Sequence, residues 1–192
     1  RFVLGLHESV VLGMADGFAR AGGKLAAANV HVAPGLGNAM GALYNAKFSN
    51  SPLIVTAGQQ EQGHGLLEPL LYDPLVPLAQ PLVKCAVEVT RVEDLPRIVH
   101  RAAKVALTPP TGPVFISLPG DVLDAEAELD LGRPVRVDAR ARPSDEALER
   151  LATTLLAARR PAILAGQELA TRDAFGEAAE LAELLGAAVF AS

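Results

Sequence analysis

Two side chains have the chemistry and the surroundings to move protons. Glu8 stands among Val3, Leu4, Leu6, Val10, Val11 and Leu12, and an apolar setting of that kind disfavours the charged form and raises a carboxyl pKa. His31 closes the next apolar run, just ahead of Pro34-Gly35-Leu36-Gly37-Asn38. The carboxyl end of a strand is where parallel sheets place their ligands. A carboxyl and an imidazole so placed point to general acid–base work in a cleft. Each has an ordinary alternative. A glutamate at a helix start is commonly an exposed carboxylate favoured by the helix dipole, and a lone histidine in an apolar strand is commonly a satisfied core residue.

A second pattern is Gly35-x-Gly37-x-x-x-Gly41, with Glu61 beyond the following strand. It approaches a dinucleotide-binding loop, whose acidic residue holds a ribose, but Met40 stands where the third glycine is required. Gly37, Gly41 and Asn45 also fall on one helical stripe beside Ala42 and Ala46, which suits the close approach of another helix or of a partner subunit. Packing is the preferred reading of these glycines. His7, His64 and His100 make no metal-ligand spacing with one another or with Cys85, so no metal ligands are assigned. No Gly-x-Ser-x-Gly nucleophile elbow and no Walker-type lysine loop is present.

The elements that must position these residues alternate. Helices are expected over 8–21, 37–50 and 92–107, with strands over 25–32, 53–57, 83–87 and 114–118 and an irregular stretch containing Pro69, Pro74, Pro77 and Pro81. Such alternation with apolar strands implies an α/β fold: a mostly parallel sheet flanked by helices. After Pro119 the composition changes, and 121–143 mixes charged and small residues without sustained periodicity, as a linker does. Helix 144–158, strand 162–165, helix 171–185 and strand 187–191 then begin a second α/β, Rossmann-like unit. The expected organisation is a domain over 1–120, a linker over 121–143 and the start of a second domain over 144–192. Ser144, followed by Asp145 and Glu146, suits a helix start.

Composition excludes several classes. The net charge is −5, with two tyrosines and no tryptophan, which argues against a nucleic-acid surface; Arg97, Arg101 and Lys104 fit the solvated face of a helix whose other face carries Ile98, Val99, Ala102 and Val105. Cys85 is the only cysteine, so there is no internal disulfide and a reducing cytoplasm is expected. No apolar stretch reaches the roughly 18 residues of a membrane span. The sequence begins at Arg1 inside the apolar run Phe2-Val3-Leu4 and stops after another at Ser192, so it is expected to be a segment of a longer chain.

Three ordered runs carry a family resemblance: Leu6-His7-Glu8 leading to Gly13-Met14-Ala15-Asp16-Gly17-Phe18-Ala19-Arg20, then Asn29-Val30-His31-Val32-Ala33-Pro34-Gly35-Leu36-Gly37-Asn38-Ala39-Met40-Gly41, then Ser51-Pro52-Leu53-Ile54-Val55-Thr56-Ala57-Gly58-Gln59-Gln60. With Pro81-Leu82-Val83-Lys84, 112–119 and 160–166, they span nearly the whole sequence. The set resembles the pyrimidine-binding domain of thiamine diphosphate-dependent 2-oxo acid decarboxylases, nearest to the benzoylformate decarboxylase branch. The resemblance implies that Glu8 hydrogen-bonds the aminopyrimidine ring of the cofactor and activates it. It also implies that His31 assists proton transfers at the reacting carbon, and that Gly35 and Asn38 line the cofactor site. It implies thiamine diphosphate with Mg2+ as cofactors, a 2-oxo acid substrate, and a homodimer or homotetramer with neither nucleic acid nor membrane as partner. The acetohydroxyacid synthase branch, a carboligase, resembles the same region but usually carries a hydroxyl residue at the position of His31. A non-catalytic nucleotide-binding module of the same fold is the remaining alternative. The family's metal run, Gly-Asp-Gly with a distant Asn, is absent, its nearest match being Gly120-Asp121 followed by Val122. That site is expected beyond Ser192, which would leave this segment inactive alone. Around 74–80, where the family shapes its substrate pocket, the resemblance weakens.

Overall fold

The structure, a computed structural model, describes residues 2–138 and 141–191 and divides into two compact units, parted after residue 139.

The first unit is built on four strands: β1 (Ala26–Val30), β2 (Leu53–Gln59), β3 (Ala86–Glu88) and β4 (Val114–Pro119). Their order is β1-β2-β4-β3 and every pairing is parallel. β2 and β4 hold the middle, and nearly every residue of both is buried, as continuous apolar runs covered on both faces must be. Alternate residues point to opposite faces. Leu53, Val55, Ala57 and Phe115 join one core with residues of helices α1 (Glu8–Gly22), α2 (Val32–Phe48) and α3 (Leu75–Ala79). Ile54, Val114 and Ile116 join another with Ala102 and Ala106 of α4 (Leu95–Leu107) and Val122 of α5 (Gly120–Asp124). The expected mostly parallel α/β sheet flanked by helices is present.

Local chemistry sets the ends of α1. His7 lies just before it, with extended backbone, and its Nδ1 accepts from the Ser9 amide at 3.2 Å; Gly23 ends it at φ 58, the left-handed turn that glycine adopts without a Cβ penalty. Ser51, buried in the turn after α2, donates its hydroxyl to Asp16 of α1.

Three expectations about element boundaries are corrected. Helix 37–50 begins at Val32, because Pro34 falls in the first turn, where its missing N–H would have had no partner. Helix 92–107 opens as a separate 3-10 turn, Val92–Asp94, before α4 starts next to Pro96. The run 171–185 is broken: α7 (Gln167–Thr171) stops and α8 (Phe175–Leu185) starts afresh, with Asp173 between them at φ 52. The stretch 60–82 holds 3-10 turns at His64–Leu67 and Gln80–Leu82 around α3.

In the second unit α6 (Asp145–Ala157) is capped by Ser144, whose Oγ accepts from the Ala147 amide at 3.3 Å. β5 (Ala162–Ala165) pairs in parallel with β6 (Ala188–Ala191). No helix among the described residues is long and apolar enough to cross a membrane.

Candidate active site

Glu8 is the first residue of α1, and α1 packs against α2. That packing brings its carboxylate to Asn38, whose Nδ2 donates to Oε2 at 3.2 Å. Gly35, in the first turn of α2, makes the approach possible. A methyl group on Gly35 would lie 2.9 Å from Glu8 Oε1, 3.3 Å from His31 Cβ and 3.4 Å from the Val30 carbonyl carbon. The buried Gly35 therefore lies between the carboxylate and the end of β1, and its amide donates to the His31 carbonyl at 2.7 Å.

His31 occupies the position between β1 and α2, with extended backbone (φ −94, ψ 104) and no side-chain capping bond. Its side chain is exposed, so it is not a buried core histidine. Val32 follows at φ 44. A β-branched residue in the left-handed region is an outlier, costing on the order of 1–3 kcal/mol. The strained step lets the chain leave the sheet and enter α2 at once, with His31 at the corner. Nothing in the residue types signals it, because valine is the wrong residue for such a step.

The ionisation of Glu8 departs from expectation. Its carboxyl is held below the ordinary 4.5, first by a hydrogen bond from its own backbone N–H and then by Asn38, with smaller contributions from His7 and His31; burial opposes them weakly. The expected rise fails because Val3, Leu4, Leu6 and Val10, which were to exclude water from it, are themselves exposed. Sequence neighbours desolvate a group only when they cover it.

The glycine stripe is also resolved in part. Gly37 and Gly41 face outward with nothing within 4 Å of where a Cβ would stand, so no other helix among the described residues packs on them. Gly35, Gly37 and Gly41 all lie inside α2 rather than in a loop between strand and helix, which removes the geometric basis of a dinucleotide turn. Among the described residues no group of three or more His, Cys, Asp or Glu side chains is placed to hold a metal ion.

Thus Glu8, Gly35, His31 and Asn38 meet at the carboxyl end of β1, and residues 1–69, which contain all four, match the family described as thiamine pyrophosphate enzyme, N-terminal TPP binding domain. The chain belongs to the thiamine pyrophosphate enzymes. It is similar to benzoylformate decarboxylase of Pseudomonas aeruginosa, 41% identical over 96% of this chain and 36% of the relative. It is less similar to the large subunit of acetolactate synthase isozyme 3 of Escherichia coli, 30% identical over 99% of the chain and 34% of the relative. Among solved structures, the thiamine diphosphate-dependent 4-hydroxybenzoylformate decarboxylase of Rhodococcus jostii superposes with a TM-score of 0.91 at 40% identity, covering 100% of this chain and 37% of that one. This thiamine pyrophosphate enzyme chain therefore spans about a third of the length of the curated relatives it matches.

Proposed function

We propose that the chain is the pyrimidine-binding part of a thiamine diphosphate-dependent carboxy-lyase that converts a benzoylformate-like 2-oxo acid to an aldehyde and carbon dioxide. The observation that carries the reading is the Glu8 carboxylate, fixed by Asn38 against the bare backbone of Gly35 with His31 beside it. The donor set fits the cofactor. The ring nitrogen of an aminopyrimidine is an acceptor that pairs with a protonated Glu8 carboxyl, or donates back once it has taken the proton, and the missing side chain at Gly35 keeps the approach to Glu8 Oε1 clear. When bound, thiamine diphosphate supplies the nucleophilic carbon and the electron sink that loss of carbon dioxide requires.

The chain's own residues do the rest. Glu8 holds or releases a proton at its carboxylate oxygens; Asn38 keeps one of those oxygens oriented; Gly35 clears the approach. The His31 ring, exposed and without a capping bond, is free to carry a proton to and from substrate. Diphosphate and Mg2+ would be held by residues outside this chain, in a cytoplasmic homodimer or homotetramer, with 1–120 as one domain, 121–143 as linker and 144–192 opening the next. The similarity to acetolactate synthase favours a carboligase as the second reading.

The test is aldehyde release by the full-length parent protein from benzoylformate and other 2-oxo acids, with and without thiamine diphosphate and Mg2+. Glu8→Gln is expected to lower turnover by at least about 10²-fold, the usual loss when a positioned acid or base is removed. No decarboxylation across the panel refutes the reading, and 2-hydroxyketone as the main product replaces it by the carboligase.

A further inference from the structure

Helix α1 carries Glu8 at its first residue and Asp16 just over two turns further on. At 3.6 residues per turn these two fall with Leu12, Ala15 and Ala19 inside an arc of roughly 100°. That side of α1 is the packed one: Leu12 and Ala19 are buried, and Ala15 lies against the same core as Leu36, Ala39 and Leu43 of α2. Alanine-rich surfaces form low ridges, which set the distance between two helices better than they set how far one slides along the other. Polar contacts across the boundary must fix that position.

Two hydrogen bonds cross it. At the front, Asn38 Nδ2 donates to Glu8 Oε2 at 3.2 Å. At the rear, the Ser51 hydroxyl donates to Asp16 Oδ1. The front bond is a poor anchor, because a carboxylate that releases and retakes a proton changes its hydrogen bonds as it does so. The rear bond has the properties of a fixed one. Ser51 is 1% exposed, and its amide donates to the Ala46 carbonyl at the end of α2 at 2.9 Å. On one side of it the Asn50 carbonyl accepts from the Thr111 hydroxyl; on the other the Pro52 carbonyl accepts from the Ala26 amide at 3.2 Å. Ser51 is thus tied to the end of α2 and to the foot of the sheet, and half-buried Asp16 ties α1 to Ser51. Eight residues at 1.5 Å each put Asp16 about 12 Å from Glu8 along the axis, so it acts on the site only through the helix.

We propose that Asp16 is a positioning residue for the proton transfers at Glu8: its bond to Ser51 sets how far α1 stands along α2, and so where the Glu8 carboxylate lies against Asn38 and Gly35. The inference rests on the decarboxylase reading above and adds a residue outside the Glu8, Gly35, His31 and Asn38 set.

The test uses the full-length parent protein. Asp16→Ala removes the acceptor, Ser51→Ala removes the donor, and Asp16→Asn keeps an oxygen that accepts from Ser51. Turnover of benzoylformate, or of whichever 2-oxo acid the parent accepts, is read beside the Asn38 side-chain amide resonance recorded without cofactor. A slip of α1 by about half an ångström, on a scale of about 10²-fold per ångström, predicts a fall in kcat of about tenfold in both alanine variants. KM for the 2-oxo acid stays within about threefold, because His31 follows β1, which is held by β2 rather than by α1. The Asn38 resonance moves in both. Asp16→Asn returns it and brings kcat back to within about threefold of wild type, which loss of packing alone would not require. Where Asp16→Ala does not fold, Ser51→Ala against Asp16→Asn decides. An unchanged kcat in either alanine variant, or a loss that Asp16→Asn does not restore, overturns the proposal and leaves the decarboxylase reading intact. A wild-type parent inactive on every 2-oxo acid overturns that reading and the role of Asp16 in proton transfer with it, even if the resonance moves.

Discussion

Replacing Gly35 by alanine separates what the backbone needs from what the site needs. The new methyl would lie 2.9 Å from Glu8 Oε1, 3.3 Å from His31 Cβ and 3.4 Å from the Val30 carbonyl carbon. The last two contacts are tight by only a few tenths of an ångström. The first is too close by about half an ångström for a carbon–oxygen contact, given the usual optimum near 3.5 Å. The group that must yield is the end of a flexible side chain, so Glu8 moves and the fold stays. Alanine also gains up to about 0.5–1 kcal/mol over glycine inside a helix, less in a first turn, and this offsets the crowding at His31. Stability to urea is therefore expected within about 1 kcal/mol of wild type. Catalysis has no such compensation. Displacing a reacting group by 1 Å can cost about 10²-fold, so half an ångström predicts a loss of about tenfold in turnover of the parent protein. The 3.2 Å bond from Asn38 should weaken with it, visible as a shifted Asn38 side-chain amide resonance. A stability loss of about 3 kcal/mol, the scale of severe overpacking, would refute the claim that Glu8 yields; unchanged turnover would refute the claim that its position matters.

Other outcomes follow from the same geometry. His31→Ala should keep thiamine diphosphate affinity while turnover falls about 10²- to 10⁴-fold if the imidazole moves a proton in the slow step; loss of folding would make it a structural residue. In the 192-residue chain, the Glu8 carboxyl should titrate below 4.5 by carbon NMR. A lowered carboxyl pKa contributes stability above its unfolded value that is lost as pH falls through the folded one, so the small advantage of wild type over Glu8→Gln should vanish in acid below 4.5. A midpoint at or above that value contradicts the hydrogen-bond account. Lys84 Nζ donates to the Val105 and Thr108 carbonyls at 2.6 Å each, tying the chain before β3 to the negative end of α4. Lys84→Met should cost about 1 kcal/mol in urea denaturation, a modest figure because the side chain is largely solvated; no change would mean that water replaces both bonds.

The sheet was legible in the sequence because β2 and β4 are runs of apolar residues that only a doubly covered parallel sheet can bury, and their limits fall within a residue or two of those expected. The entry into α2 was not. Pro34-Gly35 has the composition of a turn, yet a proline is tolerated in the first turn of a helix, and that is where the pair lies. The break at Asp173 hides for a similar reason: the flanking residues are sound helix formers, and a single left-handed residue leaves no periodic trace. Glu8 and His31 stood out by residue type and setting, whereas Gly35 and Asn38 entered as site residues only by resemblance. The bond between Glu8 and Asn38 spans two helices, and no local pattern encodes it.

The error over Glu8 is the most instructive, because its neighbours are apolar and nonetheless wet. Along α1, Val10, Met14 and Phe18 recur every fourth residue and are all exposed; on α2, Tyr44 and Phe48 are exposed too, their ring centroids 5.4 Å apart. Tyr44 and Phe48 share α2 with Gly37 and Gly41, which have open space in front of them. A surface of this kind keeps Glu8 hydrated while it stays bare, and the carboxylate is then governed by its hydrogen bonds. Covering it removes water from the carboxylate while the bonds from its own amide and from Asn38 persist, so desolvation, now the weak opposing effect, would grow against them. A partner covering that face would thus push the Glu8 carboxyl up from the lowered value it has in the bare chain, toward the range acid–base work calls for. A Glu8 midpoint that climbs between the isolated chain and the assembled parent protein would show the switch directly, and an identical midpoint in both would mean that hydrogen bonding alone sets the charge.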